Sequence, residues 1–208
     1  MGKETSKAMK RRLQDFRFVT RFFTGSGLDI GCCGDSLEQY REFLPLVTEI
    51  RGWDRPDGDA QKLATIDSKT LDFVYSSHCL EHLQDPFDGI RNWLRVLKPG
   101  GYLVFTVPDE DLYEQGIFPS TFNRDHKKTF TIFKPRSWSP ASVNIFALIR
   151  HLRGTAEVIK IELVDGWNRT TPKRRDQTRG PVAESAIEVI LRKREPKDPR
   201  LGLQAEQR

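Results

Sequence analysis

Apolar positions along the chain follow two different periods, one helical and one extended. Leu13, Phe16, Val19 and Phe23 recur at helical spacing, so residues 7–23 read as one amphipathic helix, stopped by Thr24-Gly25-Ser26-Gly27. A short apolar strand, Leu28 to Ile30, then runs into Gly31. Ser36 with Gln39 three residues later has the form of a capping box, opening a second helix that carries Leu37, Tyr40 and Leu44 as far as Pro45. Residues 46–54 (LVTEIRGWD) and 71–77 (LDFVYSS) read as strands. Asp85-Pro86 places a carboxylate cap before a first-turn proline, and Phe87, Ile90, Leu94 and Leu97 make the buried stripe of the helix it starts. Lys98-Pro99-Gly100-Gly101 ends that helix, and residues 102–108 (YLVFTVP) form a near-continuous apolar strand, the pattern of a strand covered on both faces. Strands alternating with helices predict an α/β fold with a parallel sheet between two helical layers.

The alternation breaks at residues 109–138, a polar and aromatic stretch whose length marks a substrate lid or insert. Ser139-Pro140 then opens another helix ending near Gly154, and residues 156–165 (AEVIKIELVD) and 185–194 (SAIEVILRKR) read as two strands joined by a long basic loop.

The chain has 208 residues, 37% hydrophobic and 30% charged, which fits a single domain over 1–194 and a disordered tail over 195–208. No apolar run reaches the length of a membrane span, and the basic N-terminus has no apolar segment behind it, so neither a span nor a signal peptide is expected. Cys32, Cys33 and Cys79 form no C-x-x-C pair and no zinc spacing. They read as reduced thiols of a cytoplasmic protein, and no metal site is expected. The net charge is +5, with one basic cluster at Lys173, Arg174 and Arg175. A solvated surface is the preferred reading, ahead of a groove for an acidic substrate.

The turn after the first strand carries the chemistry. In an open parallel sheet, ligands sit beyond the carboxyl ends of the strands, and Gly31 lies there. Asp54 closes the second strand 23 residues after Gly31, about the distance at which an acid accepts hydrogen bonds from ribose hydroxyls. A pyrophosphate would want further glycines and no negative charge, whereas Asp29 and Asp35 flank this turn. A nucleoside with positive charge and no phosphate fits, and S-adenosylmethionine is such a ligand.

With these residues in hand, the chain resembles the class I S-adenosylmethionine-dependent methyltransferases of the type 11 kind. LDIGCCGD resembles their first motif, in which Asp29, Gly31, Cys33 and Gly34 would approach the methionine part. GWD resembles the second, with Asp54 on the ribose; GDAQKL resembles the third, with Asp59 and the backbone near Ala60 at the adenine. LDFVYSSHCLEHLQDP and RVLKPGGYLVFTVP resemble the fourth- and fifth-strand motifs, with Ser77 and His78 beside the cofactor. The resemblance covers roughly residues 25–110 and implies a Rossmann-like, doubly wound, mostly parallel sheet with an antiparallel C-terminal hairpin strand. It also implies S-adenosylhomocysteine as product. Two departures stand out: Cys33 and Asp35 replace glycines, and the stretch from Asp54 to Asp59 is so short that a helix and a strand of larger relatives are expected to be missing.

Methyl transfer requires alignment of acceptor, methyl and sulfur, and a hydroxyl acceptor also needs a base. His126 with Asp125, and Asp109 just past the fifth strand, are the candidate bases; His78 reads equally as a site wall or a catalytic group. Tyr113, Arg124 and Asp125 would shape the acceptor pocket. His82 reads as a packing residue and Trp53 as core. The fourth strand ends in SSHC, not in the Asn/Asp-Pro-Pro-aromatic tetrad of enzymes that methylate base or amide nitrogens. FPSTFNRDHKKTFT resembles methyltransferases of glycan and lipopolysaccharide assembly, so O-methylation of a sugar is expected. RNA or protein, met by the basic loop 169–175, is the second acceptor class, and a methyltransferase-like binding module without turnover is the third reading. Oligomeric state is not readable.

Overall fold

A computed structural model of the chain describes residues 3–152, 154–170 and 173–195. In chain order the elements are α1 (Glu4–Arg12), α2 (Phe16–Phe22), β1 (Gly25–Ile30), β2 (Val47–Trp53), β3 (Leu71–Ser77), α3 (Pro86–Val96), β4 (Leu97–Pro108), β5 (Thr129–Thr131), β6 (Ser142–Asn144), α4 (Ile145–His151), β7 (Ala156–Val164) and β8 (Ala186–Lys193). Six strands form one sheet in the order β2-β1-β3-β4-β8-β7. The β2-β1-β3-β4 block is parallel, and β8 is antiparallel to both of its neighbours. This is the expected Rossmann-like sheet with its antiparallel hairpin. Among the described residues no strand lies between β2 and β3, so β2 is a sheet edge, as the shortness of the 54–59 stretch predicts.

Side-chain alternation divides the core between the two faces of the sheet. Leu28, Ile30, Val74, Leu103, Phe105, Ile187 and Val189 pack with α3 and α4 on one side. Phe73, Tyr75, Val104 and Ile190 pack with α1 and α2 on the other. Asp85 starts α3 as expected, accepting from the backbone N–H groups of Phe87 and Asp88. The stripe on α3 also includes Trp93, fully buried, whose indole N–H donates to the Ala60 carbonyl at 2.8 Å.

Several predicted boundaries move. The single helix over 7–23 is two, because Asp15 accepts from Arg17 N–H and starts α2 afresh after Leu13 ends α1. No α-helix follows the glycine turn: residues Leu37–Phe43 form a tighter 3-10 turn. The capping box is not made, since the Gln39 amide donates to the Ser36 carbonyl instead of accepting from the Ser36 N–H. Strand β4 already begins at Leu97 and runs through Lys98-Pro99-Gly100-Gly101. Ser139-Pro140 starts no helix; the chain there pairs as β6 with β5, and α4 begins only at Ile145, capped by Asn144. Of the expected tail, residues 196–208 lie outside the described residues.

One buried ion cluster ties the first helix to the last strand. Arg12 and Glu188 are both fully buried and meet at 2.5 Å, with Arg11 and Lys160 also on Glu188. Burial disfavours the Glu188 carboxylate, but Arg12 and Arg11 outweigh it and hold the group far below the ordinary carboxylate range.

Candidate active site

The chain order reverses between β1 and β3, so the crevice of the sheet opens beyond their carboxyl ends. Gly31 enters it with φ +78°. A side chain there would lie 2.6 Å from Cys79 Cβ, so glycine lets the turn after β1 rest on the turn after β3. Cys33 (φ +37°) and Gly34 (φ +81°) continue in the left-handed region, and nothing lies within 4 Å of where a Gly34 side chain would be.

Asp29 points inward behind this turn. Its carboxylate accepts from Leu37 N–H at 2.7 Å, and burial pushes its pKa up to about 7 against that hydrogen bond. Asp54 is held by Cys33 N–H at 2.9 Å and Arg55 N–H at 2.8 Å. Its own N–H donates to Asp57, closing a reciprocal cap over Arg55–Asp57. Burial alone would raise the Asp54 carboxyl, but the hydrogen bonds from Cys33 and Arg55 hold it below its ordinary range. Asp59 is exposed and accepts from Gln61 N–H. Trp53 is core, as expected, with 1% exposure. Asp35 faces α1 rather than a ligand: the Ser6 N–H and hydroxyl both donate to its carboxylate. The first turn of α1 therefore forms a lip of the crevice, which the sequence did not suggest.

At the exit of β3, Ser77 shares a hydrogen bond with Thr106, and His78 is left-handed at φ +54°. Burial opposes protonation of His78, but Glu81 and Glu4 outweigh it and raise its pKa. Glu81 is fully buried with neither carboxylate oxygen hydrogen-bonded. Its Oε1 lies 3.5 Å from His78 Nδ1, 3.9 Å from His82 Nε2 and 3.9 Å from His126 Nε2. Burial disfavours the Glu81 carboxylate, yet the surrounding imidazoles keep it below its ordinary pKa.

The insert supplies the rest. His126 is buried and pairs through Nδ1 with Glu114 at 2.7 Å, not with Asp125. Asp125 instead meets His82 Nδ1 at 3.1 Å and Arg55 at 3.0 Å, because a turn closed by His126 N–H on the Asn123 carbonyl separates the two side chains. Tyr113 packs on Phe122 and His126. Arg124 is exposed. Asp109 accepts from Asp111 and Leu112 N–H groups, a local cap, and burial pushes it up to about 6. The structure thus gathers His78 and His126 around Glu81, with Asp125 joined to them through His82, while the Asp109 carboxylate is taken up by the backbone of its own turn. His82 is a member of this cluster rather than a packing residue. Glu81, Glu114 and Glu4 were not anticipated. The spacing His78-x-x-Glu81-His82 was a visible signal for the first, whereas Glu114 is brought in only by the insert's fold.

Lys173, Arg174 and Arg175 are all exposed, and Arg174 is also tied to the insert. Arg174 donates to the Gln115 and Glu114 carbonyls and lies 4.7 Å over the Phe122 ring. No helix among the described residues is long and apolar enough to cross a membrane.

Residues 48–105 match the family described as Methyltransferase domain, of type 11. The fold is similar to that of a chain in the complex between the Haloferax volcanii Trm112 methyltransferase activator and a methyltransferase (TM-score 0.59, 15% identity, 92% of this chain and 91% of that one). It is also similar to a SAM-dependent methyltransferase from Archaeoglobus fulgidus (TM-score 0.58, 21% identity, 90% and 94%). A third is an S-adenosylmethionine-dependent methyltransferase from Mesorhizobium loti (TM-score 0.56, 17% identity, 88% and 97%). No curated protein matches the chain in sequence.

Proposed function

We propose that this chain is a class I S-adenosylmethionine-dependent methyltransferase, a reading supported by the family match over residues 48–105 and by the shared fold, and that it methylates a hydroxyl oxygen of a saccharide, the described chain acting as one methyltransferase domain. The crevice fits S-adenosylmethionine: Asp54 stands fixed at its edge, Gly34 leaves open space, and no α-helix follows the glycine turn to receive a phosphate. In this reading Asp54 accepts the ribose hydroxyls. Asp59 and the Ala60 backbone flank the adenine, and Gly31, Cys33 and Gly34, backed by Asp29, take the methionine part. Ser77 and His78 wall the position of the reactive group. The bound cofactor supplies an electrophilic methyl on a sulfonium.

What carries the choice of a hydroxyl is the buried Glu81 with its ring of histidines at the β3 exit. A hydroxyl must release its proton as it becomes an ether, and this cluster is a built acceptor for positive charge in the place where other relatives carry a nitrogen-directed tetrad. His126 is held with Nδ1 on Glu114, leaving Nε2 as its basic nitrogen. Tyr113, Arg124 and Asp125 would border the acceptor. RNA is the weaker reading because Arg174, the centre of the basic loop, is bound to the insert.

The test is incubation with S-adenosylmethionine and separate panels of nucleotide sugars, oligosaccharides, RNA and peptides, read by mass spectrometry. One added methyl on a saccharide is expected. Methylation confined to RNA or peptide, or at a saccharide nitrogen, would refute the acceptor assignment.

A further inference from the structure

The Glu81 cluster is built from imidazoles alone, with no fixed cation beside its carboxylate among the described residues. Glu81 is 0% exposed, and both of its carboxylate oxygens are without a hydrogen-bond donor. Leaving a buried ionised acceptor unsatisfied is expensive. Among the described residues, no lysine or arginine side chain comes within 4.0 Å of it; every ion-pair neighbour is an imidazole. The Lys127 ammonium donates to the His82 carbonyl instead.

Two of those imidazoles are already oriented. His126 has Nδ1 on the Glu114 carboxylate at 2.7 Å, and His82 has Nδ1 on the Asp125 backbone carbonyl at 3.2 Å. Each of these acceptors fixes the tautomer with the proton on Nδ1, so each Nε2 turns a lone pair toward Glu81. Three acceptors then face one another, an arrangement that repels unless a cation stands between them. An imidazole whose other nitrogen donates to a carboxylate is the usual outer support of a metal ligand.

We propose that Glu81, His82 and His126 bind one divalent transition-metal cation of the zinc, cobalt or iron(II) class. One ligand atom from each of the three falls within 4.8 Å of the others. Tetrahedral ligands at zinc distances stand about 3.4 Å apart, so the 3.9 Å separations from Glu81 close by about half an ångström through side-chain rotation. The frame is firm, because Lys127 and Lys128 N–H groups both donate to the Glu81 carbonyl at 2.9 and 3.1 Å, clamping the insert to the β3 exit. The role of the metal rests on the methyltransferase reading: with a metal bound, His126 Nε2 is a ligand in place of acting as the base, and a hydroxyl oxygen presented at the crevice would take an open coordination position and lose its proton to water more readily. Oxygen and nitrogen ligands of this kind favour zinc, cobalt or iron over magnesium, which prefers oxygen alone.

The experiment uses the full chain, stripped by a chelator and titrated with Co(II) and Zn(II), followed by visible absorbance, calorimetry and melting temperature. One saturable equivalent is expected, with absorbance bands of a low-symmetry Co(II) site and a raised melting temperature. Glu81→Gln should weaken binding more than 100-fold, and Glu114→Gln about 10–100-fold, the usual size of an outer-support loss. Should Glu81→Gln fail to fold, His82→Ala, at a half-buried position, serves in its place with a loss of at least 10-fold. Absence of a stoichiometric equivalent in the wild type, or unchanged affinity in the variants, overturns the site and leaves protonated imidazoles as the neutralising charge. Metal uptake is measured without substrate. Binding without sugar methylation would therefore sink the acceptor reading alone, and sugar methylation without binding would sink the metal alone.

Discussion

Asp54 and Asp29 show how two acids of one crevice diverge. Asp54 is fixed from Cys33, Arg55 and Asp57 before any ligand arrives, so it offers its remaining lone pairs at little ordering cost. Asp54→Ala should weaken S-adenosylhomocysteine binding by roughly 1.5–3 kcal/mol, the range for hydrogen bonds to a charged group. Calorimetry returning the wild-type affinity would remove Asp54 from the ribose. Asp29 has the opposite sign: its folded pKa is raised from 3.8 to about 7, so the protonated form is the one the fold favours. Its contribution is fully present below pH 4 and is lost as pH rises toward 7. Asn at this position keeps the bond from Leu37 N–H without a charge. Asp29→Asn should therefore match the wild type near pH 4 and exceed it by on the order of 2–4 kcal/mol at pH 7.5 in ligand-free denaturant melts. A pH-independent difference would show that Asp29 titrates normally. Both acids were legible from their distance to Gly31. Glu81 was not, because its meaning depends on His126, 45 residues away and brought back by the insert.

Among elements, the strands were the most readable and the helix ends the least. β3 falls where its apolar run places it, since a strand buried on both faces leaves little choice of boundary. α1 was misread because its buried face is Thr5, Lys7, Ala8, Met9 and Arg12, largely polar, and its partners lie far along the chain. Ser6 reaches Asp35, and Arg12 reaches Glu188. Removing Glu188 would leave Arg12 buried without its counterion, and Arg12 Nη1 already lacks a partner. Glu188→Ala should cost about 3–5 kcal/mol, the usual penalty for breaking a buried pair from one side. A loss under about 1 kcal/mol in chemical denaturation would mean that water reaches the cluster.

At the scale of the whole molecule, the family motifs carried the fold because they sit on strands and at their exits, where backbone geometry and ligand position are linked. What they could not carry is the part beyond the fifth-strand motif, residues 109–144, whose arrangement depends on pairing between β5 and β6 and on the clamp to Glu81. The lip of the crevice has a further dependence, which lies in time rather than space. Arg12 leaves the ribosome 176 residues before Glu188. Until β8 has been synthesised, Arg12 has no anionic seat, and α1 lacks the buried ion pair that fixes its end over the growing sheet. Ribosome-stalled chains halted upstream of residue 188 should remain open to protease at α1, and chains released after it should not.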